Sequence, residues 1–212
     1  MKRESRGLLI KALREKGNVS GNIIKVDTFI NHCVDMNLAK HIGQDIARYY
    51  AGKSIDKIIT VEASGIIPAM AAAMYIGCDM VYAKKRIPIT MEKHYSEKSY
   101  SFTKKEETTL HVSEEVLKKG DRLLFVDDFY AGGNTLKAIE SIAAQAGAEI
   151  VGRAVIIDKA GREDVFSILT LNEIKKAFAA AEIKEDDVCL CCGFGCGDDR
   201  GDMPHCWLRG ED

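Results

Sequence analysis

At 212 residues, with 46% apolar and 29% charged side chains, the chain is long enough to bury the core of one α/β domain and to carry a small appendage. A formal net charge of −2 gives no electrostatic reason to expect nucleic acid or a membrane surface as a partner. No apolar run reaches the roughly 18 residues that span a bilayer, and the charged start MKRESRGLLIKALREKGNVS lacks the apolar centre of a secretion signal, so the expected setting is the cytoplasm.

The chain opens with LLIKALREKG, whose apolar spacing predicts a helix stopping at Gly17. IIKVDTFIN is too short and mixed for periodicity to assign. A second helix is predicted over DMNLAKHIGQDIARYYAG, with Asp35 as its N-cap, Leu38, Ile42, Ile46 and Tyr49 near one face, and Gly52 past its end. From there the pattern changes. KIITVEA reads as a strand, IIPAMAAAMYIG as a helix that tolerates Pro68 in its first turn, and DMVYAKK as the next strand. Later, LLFVDD is a strand, TLKAIESIAAQAG a helix and AEIVGRAVIID a strand. Strands apolar at consecutive positions are buried on both faces, and their alternation with helices predicts a parallel sheet with right-handed crossovers. Residues 86–112 interrupt this pattern with a long polar stretch holding two candidate strands, SYSFTK and TTLHV. Loops of that length inside a domain are usually functional or mobile.

In open α/β sheets ligands sit beyond the carboxyl ends of the strands. Three features fall there: EASG at 62–65, KKR at 84–86 and DDFYAGGNT at 127–135. The last is the most informative. Ala131, Gly132, Gly133, Asn134 and Thr135 lead into a helix, whose first amides lack partners and attract an anion. Gly132 and Gly133 let the main chain wrap a phosphate closely. The adjacent Asp127 and Asp128 would repel that phosphate if they faced it, but two adjacent carboxylates suit two vicinal hydroxyls. A ribose 5-phosphate group satisfies both demands. Ala63, Ser64 and Gly65 offer a second amide-lined turn, and Lys84 and Lys85 bring cations to the same edge of the sheet, which fits a second, larger anion.

Each feature has a plainer reading alone. The acid pair could end a strand in solvent, EASG could be an ordinary strand–helix turn, and KKR a solvated charge run. Lys159 could lie on the surface, Asn31 could cap a turn, and Ile24 is most simply core. His32, His41, His94 and His111 are scattered without ligand spacing. Cys33 and Cys78 read as small buried hydrophobes.

A run of hydrophobics, Asp127-Asp128, four residues, then Gly133 and Thr135 resembles the thirteen-residue phosphoribosyl pyrophosphate signature of type I phosphoribosyltransferases. KVDTFINH, TVEASGIIPA, SYSFTK, VDDFYAGGNT and VIIDK, in that order, are similar to segments of the xanthine-specific members of that family. The resemblance implies the type I phosphoribosyltransferase fold, an α/β architecture with a central, mostly parallel sheet flanked by helices, a small N-terminal hood and a mobile loop. It further implies that Ala131 to Thr135 hold the 5-phosphate, Asp127 and Asp128 the ribose hydroxyls, and Ala63 to Gly65 the pyrophosphate. Lys84 or Lys85 would help, across a dimer interface. Ile24 and Asn31 would contact the purine, Lys159 its exocyclic oxygens, and Ser99, Tyr100 and Ser101 would belong to the mobile loop. Mg²⁺ would arrive with the diphosphate, and no protein side chain is assigned as a metal ligand. The implied activity converts xanthine and phosphoribosyl pyrophosphate to xanthosine monophosphate and pyrophosphate in purine salvage, by a homodimer. Two rivals remain, the same transfer to guanine or hypoxanthine, and a non-enzymatic regulator that senses phosphoribosyl pyrophosphate. The short segment before the hood and the slightly acidic charge speak against the regulator.

The resemblance covers about residues 1–165, the expected phosphoribosyltransferase domain. Residues 166–212 read as an atypical extension, a helix over LNEIKKAFAAAEI and then a Cys- and Gly-rich tail holding Cys189, Cys191, Cys192, Cys196, His205 and Cys206. A zinc site, a disordered appendage and an altered reading frame all remain open for that tail.

Overall fold

The computed structural model describes residues 3–101 and 106–186. The tail and its five cysteines therefore lie outside the described residues. Five strands form an all-parallel sheet: β3 (Lys57–Val61), β4 (Asp79–Ala83), β7 (Arg122–Tyr130), β8 (Glu149–Asp158) and β9 (Phe166–Thr170), in the order β4-β3-β7-β8-β9. Ahead of them comes a short hairpin, β1 (Asn18–Ser20) with β2 (Ile23–Lys25), and between β4 and β7 lies an antiparallel pair, β5 (His94–Ser101) with β6 (Glu106–Ser113). The helices are α1 (Glu4–Lys16), α2 (Met36–Tyr49), α3 (Ile66–Ile76), α4 (Asn134–Ala146) and α5 (Leu171–Asp186).

Local chemistry sets these boundaries. Asp35 caps α2, its Oδ1 accepting the N–H groups of Asn37 and Leu38 at 3.0 Å each. The segment IIKVDTFIN divides into β2 and one turn of π-helix over Asp27–Asn31, which buries Phe29 and Ile30. The core is the predicted one: Ile58, Ile59, Leu123, Leu124, Val155 and Ile157 are fully enclosed, as expected for strands covered on both faces.

Three features depart from the sequence-based reading. Phe166–Thr170, which the sequence places at the start of the extension, pairs with β8 from Ala154 to Asp158 as the fifth strand. One compact unit accordingly runs through Lys175. Cys33 is exposed instead of buried, because it follows the π-turn at the surface. His94 and His111, scattered in sequence, meet edge-on across the β5–β6 pair with ring centroids 5.1 Å apart.

The strand order creates the ligand position. The chain winds from β3 outward to β4, then returns to the other side of β3 to lay down β7. The loops after β3 and β7 thus leave in opposite directions and open a crevice at the carboxyl edge, the usual place for a ligand in such sheets.

Candidate active site

Both walls of the crevice are built from the predicted turns. The first is the turn after β3. Its Glu62–Ala63 peptide is cis, and the Glu62 carboxylate accepts the Lys85 N–H at 2.6 Å, tying this turn to the end of β4. Ala63 is exposed, Ser64 half-buried and Gly65 buried. A side chain at Gly65 would collide with Thr60 Oγ1 and with Asp127 Oδ1, so glycine is what lets this turn close onto the acid pair. Beneath it the Thr60 hydroxyl is fully buried and without a hydrogen-bond partner among the described residues. Lys84 is half-buried, its ammonium 5.6 Å from the Tyr82 ring, and its main chain pairs with His111; Lys85 is exposed.

The second wall is the turn from β7 to α4. Asp127 and Asp128, at the end of β7, are each only 8% exposed. Burial, reinforced by the Asp128 charge, pushes the Asp127 carboxyl well above the usual carboxylate range, although the Asp128 N–H donates to its Oδ1 at 2.9 Å and Lys85 acts the other way. Asp128 Oδ1 accepts the Phe129 N–H at 2.9 Å. Gly133 stands at the N-cap of α4 with φ +76°, and as a glycine it has no side chain with which to cap the helix. The first α4 amides are therefore open toward the crevice, an anion cradle of helix-terminus type. Ala131 and Gly132 are exposed and Asn134 and Thr135 half-exposed. The Asn134 amide donates to the Tyr100 carbonyl at 2.8 Å.

Remote segments complete the site. Asn31, in the π-turn, donates from Nδ2 to Asp128 Oδ2 at 3.3 Å, across 97 positions of sequence. This contact puts the N-terminal segment above the acid pair. Ile24 is buried in β2, 7% exposed. Lys159, after β8, donates its N–H to the Tyr130 carbonyl at 2.8 Å and holds its ammonium 4.5 Å from the Phe129 ring centre. Burial lowers its pKa, with the Asp128 charge opposing. Ser99 is buried and Tyr100 exposed on β5, while Ser101 closes that strand opposite Glu106. The β5–β6 pair is fastened to α4 by the Asn134–Tyr100 bond, the Ser141 hydroxyl on Glu97 and the Gln145 amide on the Ser96 carbonyl at 3.0 Å.

Asp127, Asp128, Gly65, Gly133, Asn31 and Lys159 thus converge on one region. Sequence reasoning missed Glu62, Thr60, Tyr130 and Arg162. Glu62 stands within the EASG turn, and Thr60 and Tyr130 within the quoted segments TVEASGIIPA and DDFYAGGNT; Arg162 gives no local signal.

A switch-point crevice with a glycine at its helix terminus, two buried acids and a second glycine turn defines an α/β protein with a candidate anion-binding site at the carboxyl edge of its sheet. Residues 34–185 match the family described as phosphoribosyl transferase domain. The chain belongs to that family. It is 41% identical to a xanthine phosphoribosyltransferase of Shouchella clausii over 155 residues, 72% of this chain and 77% of the relative. It is 42% identical to one from Geobacillus thermodenitrificans over 156 residues, 73% of this chain and 80% of the relative. Among solved structures, adenine phosphoribosyltransferase from Rhodothermus marinus superposes with a TM-score of 0.63 at 19% identity, covering 78% of this chain and 99% of the other. The Giardia lamblia adenine enzyme gives 0.63 at 16% identity, covering 76% and 97%. At such identities these two similarities establish the fold alone.

Proposed function

We propose that this chain is a xanthine phosphoribosyltransferase, forming xanthosine monophosphate and pyrophosphate from xanthine and phosphoribosyl pyrophosphate in purine salvage. The carrying observation is the identity of about two residues in five to proteins of that name over nearly three quarters of the chain, supported by the contacts of Asn31 with Asp128 and of the Gly65 turn with Asp127.

In this reading the α4 terminus and the Ala131–Thr135 turn hold the 5-phosphate, and Asp127 and Asp128 accept hydrogen bonds from the ribose hydroxyls. Ala63, Ser64 and Gly65 hold the pyrophosphate, with Lys84 and Lys85 adding positive charge. As the bond at C1 breaks, positive charge grows on the sugar above two carboxylates and negative charge grows on pyrophosphate beside amides and ammonium groups, which is stabilisation directed at the transition state. A purine nitrogen then attacks C1. Ile24 and Asn31 contact the base, and the half-buried Lys159 ammonium favours a ring edge bearing oxygen over one bearing an amino group. The β5–β6 segment with Ser99, Tyr100 and Ser101 shields the reaction from water.

Among the described residues no three His, Cys, Asp or Glu side chains cluster to hold a metal ion. Two acids beside an amide turn fit Mg²⁺ that arrives on diphosphate oxygens and keeps its waters, which would donate hydrogen bonds to Asp127 and Asp128. When bound, that ion supplies positive charge to the departing pyrophosphate.

A homodimer fits the apolar side chains that α3 and the edge strand β4 leave exposed, Met70, Met74, Tyr75 and Tyr82. A cytoplasmic setting agrees with the absence, among the described residues, of a helix long and apolar enough to cross a membrane.

The test is a steady-state assay of the purified chain with xanthine, guanine, hypoxanthine and adenine, each with phosphoribosyl pyrophosphate and Mg²⁺. Highest kcat/KM with xanthine is expected. Preference for guanine or hypoxanthine would transfer the assignment to that base, and no product with any base would favour the regulator.

A further inference from the structure

The turn that carries Lys159 is fastened to the phosphate turn by side chains outside the chemistry described above. Asp158, at the end of β8 and 1% exposed, gathers the turn: its Oδ1 accepts the N–H groups of Ala160 and Gly161 at 2.8 and 3.0 Å, and its Oδ2 accepts that of Arg162 at 2.7 Å. Three amide donors on one buried carboxylate leave the main chain from Lys159 to Arg162 little freedom. The Arg162 guanidinium is in turn oriented by Asp164, which accepts from its Nε at 2.6 Å and from Nη2. Its free edge donates from Nη1 to the Tyr130 hydroxyl at 2.9 Å.

Tyr130 closes the path. It is buried, and its hydroxyl lies against Gly133 so closely that any side chain there would collide with it. Gly133 is the residue from which the open amides of α4 begin. The Tyr130 hydroxyl therefore stands between the phosphate turn and the Arg162 guanidinium. On the other side, the Tyr130 carbonyl holds the Lys159 N–H.

We propose that Arg162 is a positioning residue that couples the two turns through Tyr130, so that a sugar phosphate on the α4 terminus tightens the binding of a purine beside Lys159. The chain of contacts is continuous, and such coupling is reciprocal by thermodynamic necessity. The proposal rests on the function proposed above, and its test separates the two.

Xanthine is titrated calorimetrically into the full chain with and without saturating ribose 5-phosphate. The wild-type protein is expected to bind xanthine about tenfold more tightly when the sugar phosphate is present. Tyr130→Phe and Arg162→Gln should each cut that factor to less than half, with affinity for ribose 5-phosphate alone held within about twofold. A purely structural clamp would lower the thermal midpoint and leave the factor unchanged, which overturns the proposal. So would a wild-type protein that binds both ligands independently. A loss of ribose 5-phosphate affinity beyond about fivefold in Arg162→Gln would make Arg162 part of the phosphate site and equally overturn it. Arg162 lies at the surface, so its variant decides the matter even where Tyr130→Phe fails to fold. Should the wild-type protein bind neither ligand, the proposed function itself falls.

Discussion

The two ends of β7 treat an aspartate in opposite ways. At the amino end Asp121 meets the Lys57 ammonium at 2.6 Å and also accepts the Lys118 N–H at 2.9 Å. Burial alone would push its carboxyl up, but these partners outweigh it and hold the group below the usual carboxylate range. At the carboxyl end Asp127 has a second acid for its neighbour, and burial and that charge push it up. One acid is fully compensated and the other is left in deficit. An acid held by its partners carries structure, whereas an acid kept in a destabilising place is a candidate for binding something there.

The sharpest way to break this contrast is to neutralise both acids of the deficient end. Asp127→Asn with Asp128→Asn is expected to lower kcat by more than a hundredfold, about 2.7 kcal/mol, while the thermal midpoint stays level or rises. Retained turnover, or a falling midpoint, would show that the pair is structural. Gly65→Ala should come next, with kcat/KM down at least about tenfold, or 1.4 kcal/mol, because the new methyl group must displace Asp127 or Thr60. Near wild-type kinetics would show that the turn yields freely.

The compensated end should answer in stability alone. Asp121→Asn is expected to cost about 1–2 kcal/mol in chemical denaturation with kcat unchanged within about twofold, and a larger loss of turnover than of stability would erase the distinction between the ends. The smallest effect is a pH slope. Asp121 has a lowered native pKa, so its contribution is present above the unfolded value near 3.9 and disappears as pH falls through the native one. Asp127, raised in the native state, acts in the reverse sense: its protonation adds stability as pH falls through the raised native value, and the gain is complete below the unfolded one. The dependence of stability on pH above about 3.9 should therefore weaken in Asp127→Asn, and the dependence below it in Asp121→Asn.

The carboxyl end of β7 was readable because its parts are contiguous. Strand, acid pair, glycine turn and helix occupy residues 122–146, and each is announced by its own residue types. The same holds for the turn after β3 and for the Asp35 cap. What could not be read are the contacts between distant segments. Nothing near Asn31 announces that it reaches Asp128, and nothing in GRED announces that Arg162 reaches Tyr130; both depend on how the sheet brings loop ends together. The fifth strand was missed for another reason. Phe166–Thr170 is short, directly abuts α5 and lies past the last segment of resemblance, so its apolar run had no turn signal to frame it. The role named for Ser99, Tyr100 and Ser101 rests on resemblance alone, since a polar hairpin gives periodicity little to work with.

The winding reversal between β3 and β7 has a consequence for how such proteins diverge. The gap it leaves is dictated by the path of the main chain, and the anchoring amides on its floor belong to no particular side chain. In the proposed function the base is recognised by outlying pieces over this gap, the N-terminal turn and the segment after β8, while the anion is left to the main chain. The chain shares its architecture with adenine enzymes at under one residue in five, and two in five match proteins named for a different purine.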